Sequence, residues 1–184
     1  MRLFCGLDLT AGVRHELGDL VRKLRPAARI RWSPVENLHI TTKFIGEWPA
    51  DRVERIQQAL ASLPAREPIP VRIRGLGWFP NPHNPRVFWA GIDAPPALAE
   101  LARATGAALA AIGVPPETRP FSPHLTLARI SAPAPLAGLR QHVAALDSTD
   151  FGAFVSESFF LYLSERSPGG SAYTKLAEFP LHKP

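Results

Sequence analysis

The sequence contains a single cysteine and no long hydrophobic run. Cys5 has no partner within the chain for a disulfide, and its place in an apolar segment predicts a small buried side chain. No apolar run approaches the ~20 residues that cross a bilayer. The first residues are too few and too soon charged for a signal peptide. These absences argue against an exported or membrane-bound protein, so we expect a cytoplasmic protein with no membrane partner.

Acidic residues are also in the minority. The 16 Asp and Glu residues are outnumbered by 21 Lys and Arg residues, which gives a net charge of +5 and a pI of about 10.0. This balance favours an anionic partner such as RNA or a nucleotide, although the arginine-rich composition of a GC-rich genome produces the same excess. Apolar residues make up 46% of the 184 residues, enough for one soluble domain or two small lobes that share a core.

The most informative feature is a short phrase of His and Thr that occurs twice. It is written His39-Ile40-Thr41-Thr42 and, 85 residues later (124 − 39), His124-Leu125-Thr126-Leu127. Each copy lies in a predicted strand, so the His and the Thr two positions on share one face. Because imidazole titrates near neutral pH, one histidine can donate a proton to a phosphodiester while the other accepts one. The threonine hydroxyls are suited to hydrogen-bond phosphate oxygens.

The two phrases belong to a longer internal repeat. Each half reads strand, helix, His-containing strand, helix and closing strand, with a near-constant offset between the halves. The first half comprises residues 3–9, 10–24, 38–45, 51–63 and 71–79, and the second comprises residues 87–92, 95–112, 123–128, 135–146, 158–163 and 173–181. The proline-rich segment 80–85 lies between the halves and is predicted to be a loop.

This repeat predicts an α+β fold with a bilobal internal duplication. Two antiparallel-rich β-sheets face a central groove, and the helices pack on their outer faces. Residues 1–184 form one domain, with the first motif in a lobe of about residues 1–80 and the second in a lobe of about residues 86–184. The C-terminal strands are candidates to cross between the lobes.

Two basic residues near the motifs are candidate phosphate ligands. Strict alternation puts Arg129 on the face opposite His124, but a twist at the strand end would let its long side chain reach a phosphate. Lys43 shares the face of His39 by the same alternation and could act similarly. Neither phrase contains a carboxylate, and two histidines alone fall short of a usual metal-ligand set. We therefore predict no metal and no other cofactor.

These residues together resemble the two-histidine phosphoesterases, and most closely the bacterial and archaeal RNA 2′,3′-cyclic phosphodiesterases, historically called 2′-5′ RNA ligases. The resemblance covers nearly the whole chain. Its departures are small: the family is usually more apolar at Thr42 and at the pair Cys5-Gly6. It is carried by Arg2-Leu3-Phe4, Leu7-Asp8-Leu9, residues 37–47, residues 119–129, and Leu161-Tyr162-Leu163-Ser164-Glu165 with Gly170 and Tyr173.

The resemblance implies an activity and a role for each site residue. The activity is metal-independent hydrolysis of an RNA 2′,3′-cyclic phosphate to a 2′-phosphomonoester, and family members also show reversible 2′-5′ ligation. By the same resemblance, His39 is the proton donor to the leaving ribose O3′, and His124 is the proton acceptor that activates water. The other candidates are Thr41 and Thr126 in the catalytic set, with Arg129, Lys43 and Tyr173 as substrate-binding residues. We expect a monomer whose partner is RNA with a 2′,3′-cyclic phosphate end or a related nucleotide.

Two other functions stay open on the sequence alone. The same site could act on another small cyclic nucleotide or on a 2′-5′ linkage, which a substrate panel would distinguish. Alternatively, the chain is a nucleotide-binding module without turnover, whose signature would be the loss of one histidine or threonine. Both pairs are intact, which favours the enzyme.

Overall fold

Nine β-strands, four α-helices and three short 3-10 helices make up the regular structure of the described residues. A computed structural model describes residues 1–167 and 170–183. The elements in chain order are β1 (Arg2–Leu7), α1 (Ala11–Leu24), β2 (Arg31–Trp32), β3 (Ile40–Glu47), α2 (Val53–Ala61), β4 (Ile69–Phe79), β5 (Val87–Asp93), α3 (Pro96–Ala110), β6 (His124–Arg129), α4 (Ala137–Ala144), β7 (Asp150–Ser156), β8 (Ser158–Ser167) and β9 (Gly170–Pro180). None of the helices in this part of the chain has the length and apolar composition needed to cross a membrane.

The strands form two sheets in which every pairing is antiparallel. The first sheet has the order β3-β1-β8-β9, and the second has the order β2-β6-β5-β4-β7. Helix α3 packs against β3 and α2, whereas α1 packs against β7 and α4. One hydrophobic core runs through both lobes. The predicted α+β class with two antiparallel sheets is therefore confirmed.

A division of the chain near residue 80 does not separate the two sheets. Strand β4 precedes that boundary but pairs with β5 and β7 in the second sheet. Strands β8 and β9 follow it but join β1 in the first sheet. The reason is local, because β4 and β5 are joined by the short loop 80–86 and consecutive antiparallel strands pair most readily with each other. Each sheet is therefore completed by strands from the other half of the sequence.

Local sequence patterns account for most of the elements. The apolar stripe of α1 is buried, with Leu17 and Leu24 fully inaccessible. Thr10 occupies the N-cap position of α1, but its side chain makes no capping hydrogen bond. Strands β2 and β7 were not predicted. The first is only two residues long, and the second contains Gly152 at φ +99°, which interrupts its alternation.

Candidate active site

The two motif strands meet where the chain passes from one sheet to the other. Strand β2 pairs with β6 at the edge of the second sheet, and residues 33–39 then lead directly into β3 of the first sheet. Ser33 fixes this crossing, because its amide donates to the Leu127 carbonyl at 2.8 Å and its hydroxyl donates to the Thr126 carbonyl at 2.8 Å. Strands β3 and β6 contact each other. The first motif is thus anchored beside the second.

Each motif strand contains a β-bulge immediately after its threonine. In β3, Thr41 pairs with Gly6 and Lys43 pairs with Cys5, so Thr42 is the extra residue. In β6, Thr126 and Ala128 pair with successive residues of β5, so Leu127 is the extra residue. The bulge places two consecutive side chains on the buried face and reverses the alternation beyond it. The burial patterns of the two strands are therefore the same.

The bulge in β6 brings Arg129 onto the face of His124. Leu127 and Ala128 are both fully buried, whereas Arg129 is exposed, as expected for a residue on the same side as Thr126. The sequence placed Arg129 on the opposite face because strict alternation ignores a bulge. Its positive charge is also close enough to His39 to help lower the pKa of that imidazole. Arg129 thus stands within electrostatic reach of both motifs.

The equivalent bulge in β3 has the opposite effect on Lys43, and the prediction that Lys43 shares the face of His39 is wrong. Lys43 does not share the face of His39, because the extra residue Thr42 turns its side chain inward, where it is 5% exposed. The ammonium group donates to the Pro115 carbonyl at 2.9 Å. Lys43 therefore ties β3 to the loop before β6 and does not face the motif histidines. The outward position is taken by Phe44, which is 43% exposed.

Both histidines are held by the same backbone contact. Nδ1 of His39 lies 2.7 Å from the Asn37 carbonyl, and Nδ1 of His124 lies 2.8 Å from the Ser122 carbonyl. A carbonyl only accepts, so Nδ1 carries the hydrogen and Nε2 is the nitrogen free to exchange a proton. In the first motif, Nε2 of His39 lies 3.0 Å from Oγ1 of Thr41. This arrangement suits proton transfer at Nε2 of both residues.

Burial makes His39 a weak base in the free protein. Burial, with smaller contributions from the charges of Arg129 and Arg14, lowers its pKa from 6.5 to about 4. The Asn37 carbonyl and the Asp8 carboxylate act in the opposite direction without balancing the burial. His39 is consequently neutral near pH 7 in the ligand-free protein.

Aromatic rings fix the orientation of both imidazoles. Phe4 lies 4.5 Å from His39 between ring centroids, and Tyr173 meets His39 edge-on at 5.1 Å. In the second lobe, Phe79 meets His124 edge-on at 4.9 Å and packs against Trp89. Tyr173 was predicted at the site and lies there. The contact of Phe4 and Phe79 with the histidines was not predicted, because strands distant in sequence supply these rings.

A cavity of about 380 Å³ opens beside His39. Its walls include Asn37, Tyr173 and the buried Tyr162, whose hydroxyl has no hydrogen-bond partner among the described residues. Asp8 stands in the same wall and accepts from Arg14 at 2.5 Å and from Lys175 at 2.5 Å. Partial burial raises the pKa of Asp8, but its contacts with Lys175, the Leu9 amide and Arg14 hold it below its usual value. The cavity wall thus contains the charged groups of Asp8, Arg14 and Lys175 and the Tyr162 hydroxyl.

Within residues 1–167 and 170–183, no group of three or more His, Cys, Asp or Glu side chains is placed to hold a metal ion.

Comparison with known proteins agrees with this geometry. The family described as "LigT like Phosphoesterase" matches residues 7–89 and 92–173. The chain is 32% identical over 183 residues to a protein of Methanothermobacter thermautotrophicus named RNA 2′,3′-cyclic phosphodiesterase, covering 98% of this chain and 99% of that one. It is 37% identical over 194 residues to a Thermus thermophilus protein of the same name, covering 98% and 90%.

Solved structures show the same fold. A crystal structure of a Thermus thermophilus protein superposes with a TM-score of 0.82 at 34% identity and covers 98% of both chains. Escherichia coli LigT in complex with 3′-AMP superposes with a TM-score of 0.77 at 25% identity, covering 99% of this chain and 98% of that one. With two matching motifs on bulged strands of the two sheets and a family match across both halves, this chain belongs to the LigT-like family of two-histidine phosphoesterases.

Proposed function

We propose that the protein hydrolyses RNA 2′,3′-cyclic phosphate ends to 2′-phosphomonoesters in the cytoplasm, as a monomer and without a metal ion. The observation that carries this proposal is the repeated site: each lobe presents a histidine with Nδ1 held by the carbonyl two residues before it and a threonine on the same face. The names of the relatives in Methanothermobacter and Thermus support the choice of substrate.

The reaction needs one proton taken and one proton given. Nε2 of His124 accepts a proton from water as the water oxygen attacks phosphorus, and Nε2 of His39 donates a proton to O3′ as the P–O3′ bond breaks. The 2′-ester bond stays intact, so the product is a 2′-phosphomonoester with a free 3′-hydroxyl. Thr41, Thr126 and Arg129 stabilise the charge that builds on the phosphoryl oxygens.

The donor role requires His39 to gain a proton when substrate binds. The free protein holds His39 neutral, because burial lowers its pKa to about 4. A phosphodiester anion beside Nε2 favours the charged imidazolium and pairs with Arg129, whose charge otherwise opposes protonation. Substrate binding and protonation of His39 are therefore linked in this mechanism.

The same proton transfers permit ligation. A 5′-hydroxyl in place of water gives up its proton to His124, and the new P–O5′ bond together with the retained P–O2′ bond makes a 2′-5′ linkage. The reverse reaction restores the cyclic phosphate, so ligation and cleavage share one site.

The test is incubation of the purified protein with an oligonucleotide that ends in a 2′,3′-cyclic phosphate, in the presence of EDTA. We expect conversion to a product with a 2′-phosphate, identified by ³¹P NMR and by its sensitivity to phosphatase. A parallel reaction with an added 5′-hydroxyl oligonucleotide detects 2′-5′ joining. A 3′-phosphate product would contradict the proposed leaving group, and activity that EDTA removes and a divalent ion restores would contradict the metal-free mechanism.

A further inference from the structure

A second arginine stands directly opposite Arg129 on the neighbouring strand. Strands β2 and β6 pair Arg31 with Arg129 and Trp32 with Ala128. Directly paired residues of an antiparallel sheet project from the same face, with Cβ atoms about 4.5–5.5 Å apart. Trp32 and Ala128 are buried, whereas Arg31 and Arg129 are both exposed. Arg31 therefore lies on the open face that carries His124 and Thr126.

This pair is unfavourable in the absence of a ligand. Like charges at directly opposed positions destabilise a sheet. Among the described residues, neither guanidinium takes part in an ion pair or a side-chain hydrogen bond, although other arginines of the chain do. Within residues 1–167 and 170–183, no acidic side chain lies at ion-pairing distance to offset the repulsion between Arg31 and Arg129. A bound ligand with two negatively charged groups would offset this repulsion.

We propose that Arg31 binds a second phosphate of the RNA, the 5′-phosphate of the terminal nucleotide, while Arg129 binds the reacting cyclic phosphate. The placement of the reacting phosphate at Arg129 rests on the proposed function. The pairing of Arg31 with Arg129 is an observation that does not depend on that function. The 5′-phosphate links the terminal nucleotide to the rest of the strand. The protein therefore selects ends of RNA chains over free cyclic mononucleosides.

Three substrates separate the contribution of the 5′-phosphate from that of the reacting phosphate. They are adenosine 2′,3′-cyclic phosphate, the same compound with a 5′-phosphate, and an adenosine dinucleotide ending in a 2′,3′-cyclic phosphate. We expect Arg31→Gln to lower kcat/KM by about 10- to 100-fold for the last two, the usual worth of a hydrogen bond to a charged group. The first should be unaffected. Arg129→Gln should lower kcat/KM for all three.

A matched control removes an arginine from another surface. Arg103 is exposed on α3, which packs against the first sheet, and Arg103→Gln has the same net charge as Arg31→Gln. This control should leave the ratio of rates between the substrates unchanged. Arg31→Gln should also reduce the salt dependence of kcat/KM for the 5′-phosphorylated substrate, by about one in the log–log slope.

A binding measurement tests the role of Arg31 even if the protein does not turn over a cyclic phosphate. By calorimetry, the wild-type protein should bind adenosine 2′,5′-bisphosphate more tightly than adenosine 2′-monophosphate, and Arg31→Gln should abolish the difference. Equal affinities in the wild type would overturn the role of Arg31 even if cyclic phosphates are hydrolysed. An equal loss on all three substrates would also overturn it, because Arg31 would then act on the reacting phosphate. Wild-type protein that hydrolyses no cyclic phosphate yet shows the calorimetric difference would instead contradict the proposed function alone.

Discussion

At the scale of single residues, the two histidines share a backbone contact but differ in their surroundings. His39 is packed among Phe4, Tyr162 and Tyr173, and its burial lowers its pKa to about 4. His124 has only Phe79 as an aromatic ring partner among the described residues. The two motifs can therefore have different catalytic roles, because the aromatic side chains that surround each histidine come from different parts of the chain.

Replacing either histidine should remove most of the activity. We expect His39→Gln and His124→Gln each to lower kcat by about 10²–10⁴-fold, the usual contribution of a general acid or base. The double variant should be little slower than the slower single variant, because both groups act in one step. Single-turnover rates with a cyclic-phosphate oligonucleotide measure this. Losses that multiply in the double variant would show that the two histidines do not share a step.

The low pKa of His39 also predicts how stability changes with pH. Its folded value of about 4 lies below its ordinary value of 6.5, so the unfolded chain binds a proton at a higher pH than the native protein does. This contribution is fully present above about pH 6.5 and is lost as the pH falls towards 4. On the order of 3 kcal/mol of unfolding free energy is involved.

Urea unfolding at about pH 7 and about pH 4.5 tests this expectation. The wild-type protein should lose more stability between the two conditions than His39→Gln does, since the variant has no imidazole to protonate. The exposed His142 provides the control, and His142→Gln should follow the wild type. If His39→Gln shows the full wild-type loss, the imidazole is not held neutral by burial.

At the scale of elements, the close pairing of β1 with β3 positions the first motif. Gly6 pairs with Thr41, and a Cβ atom on Gly6 would lie 2.6 Å from the Ile40 carbonyl oxygen. This close approach of the two backbones lies next to the bulge at Thr42. A side chain at Gly6 would therefore push β3 away from β1 and displace His39 and Thr41 together.

Gly6→Ala should destabilise the protein by about 1–3 kcal/mol, the usual cost of an overpacked site, and should lower activity as well. Gly106 is the control, because it lies in the interior of α3 with nothing within 4 Å of an added Cβ atom. Gly106→Ala should raise stability by about 0.5–1 kcal/mol. Urea unfolding and the cyclic-phosphate assay measure both variants. A Gly6→Ala protein as stable and active as the wild type would mean that β3 can shift without disturbing the motif.

At the scale of the whole molecule, the duplication is not divisible into two halves. The first sheet needs β8 and β9 from the end of the chain, and the second needs β4 from before the central loop. Tyr162 and Tyr173, which surround His39, also come from the second half of the sequence. The two lobes are therefore coupled through exchanged strands.

Cutting the chain between Asn84 and Pro85 should give two fragments that do not fold alone. The first fragment leaves β4 without either of its partners, and the second leaves β5 and β7 without β4. Mixing the fragments should restore the sheets and the activity. NMR amide dispersion of each fragment and of the mixture measures this. A folded fragment in isolation would show instead that one lobe is autonomous.

The amino-acid sequence was sufficient to predict the class of fold and the repeated motif on two strands. Those features are local, because alternation within a strand places His39 with Thr41 and His124 with Thr126 regardless of the rest of the chain. The positions of Arg129 and Lys43 relative to the site followed only from the three-dimensional fold. Each bulge depends on pairing with a distant strand, so one arginine turned towards the site and one lysine turned away from it. The fold also set which rings surround each histidine and brought Arg31 opposite Arg129, since contacts across a sheet are fixed by register and not by nearness in sequence.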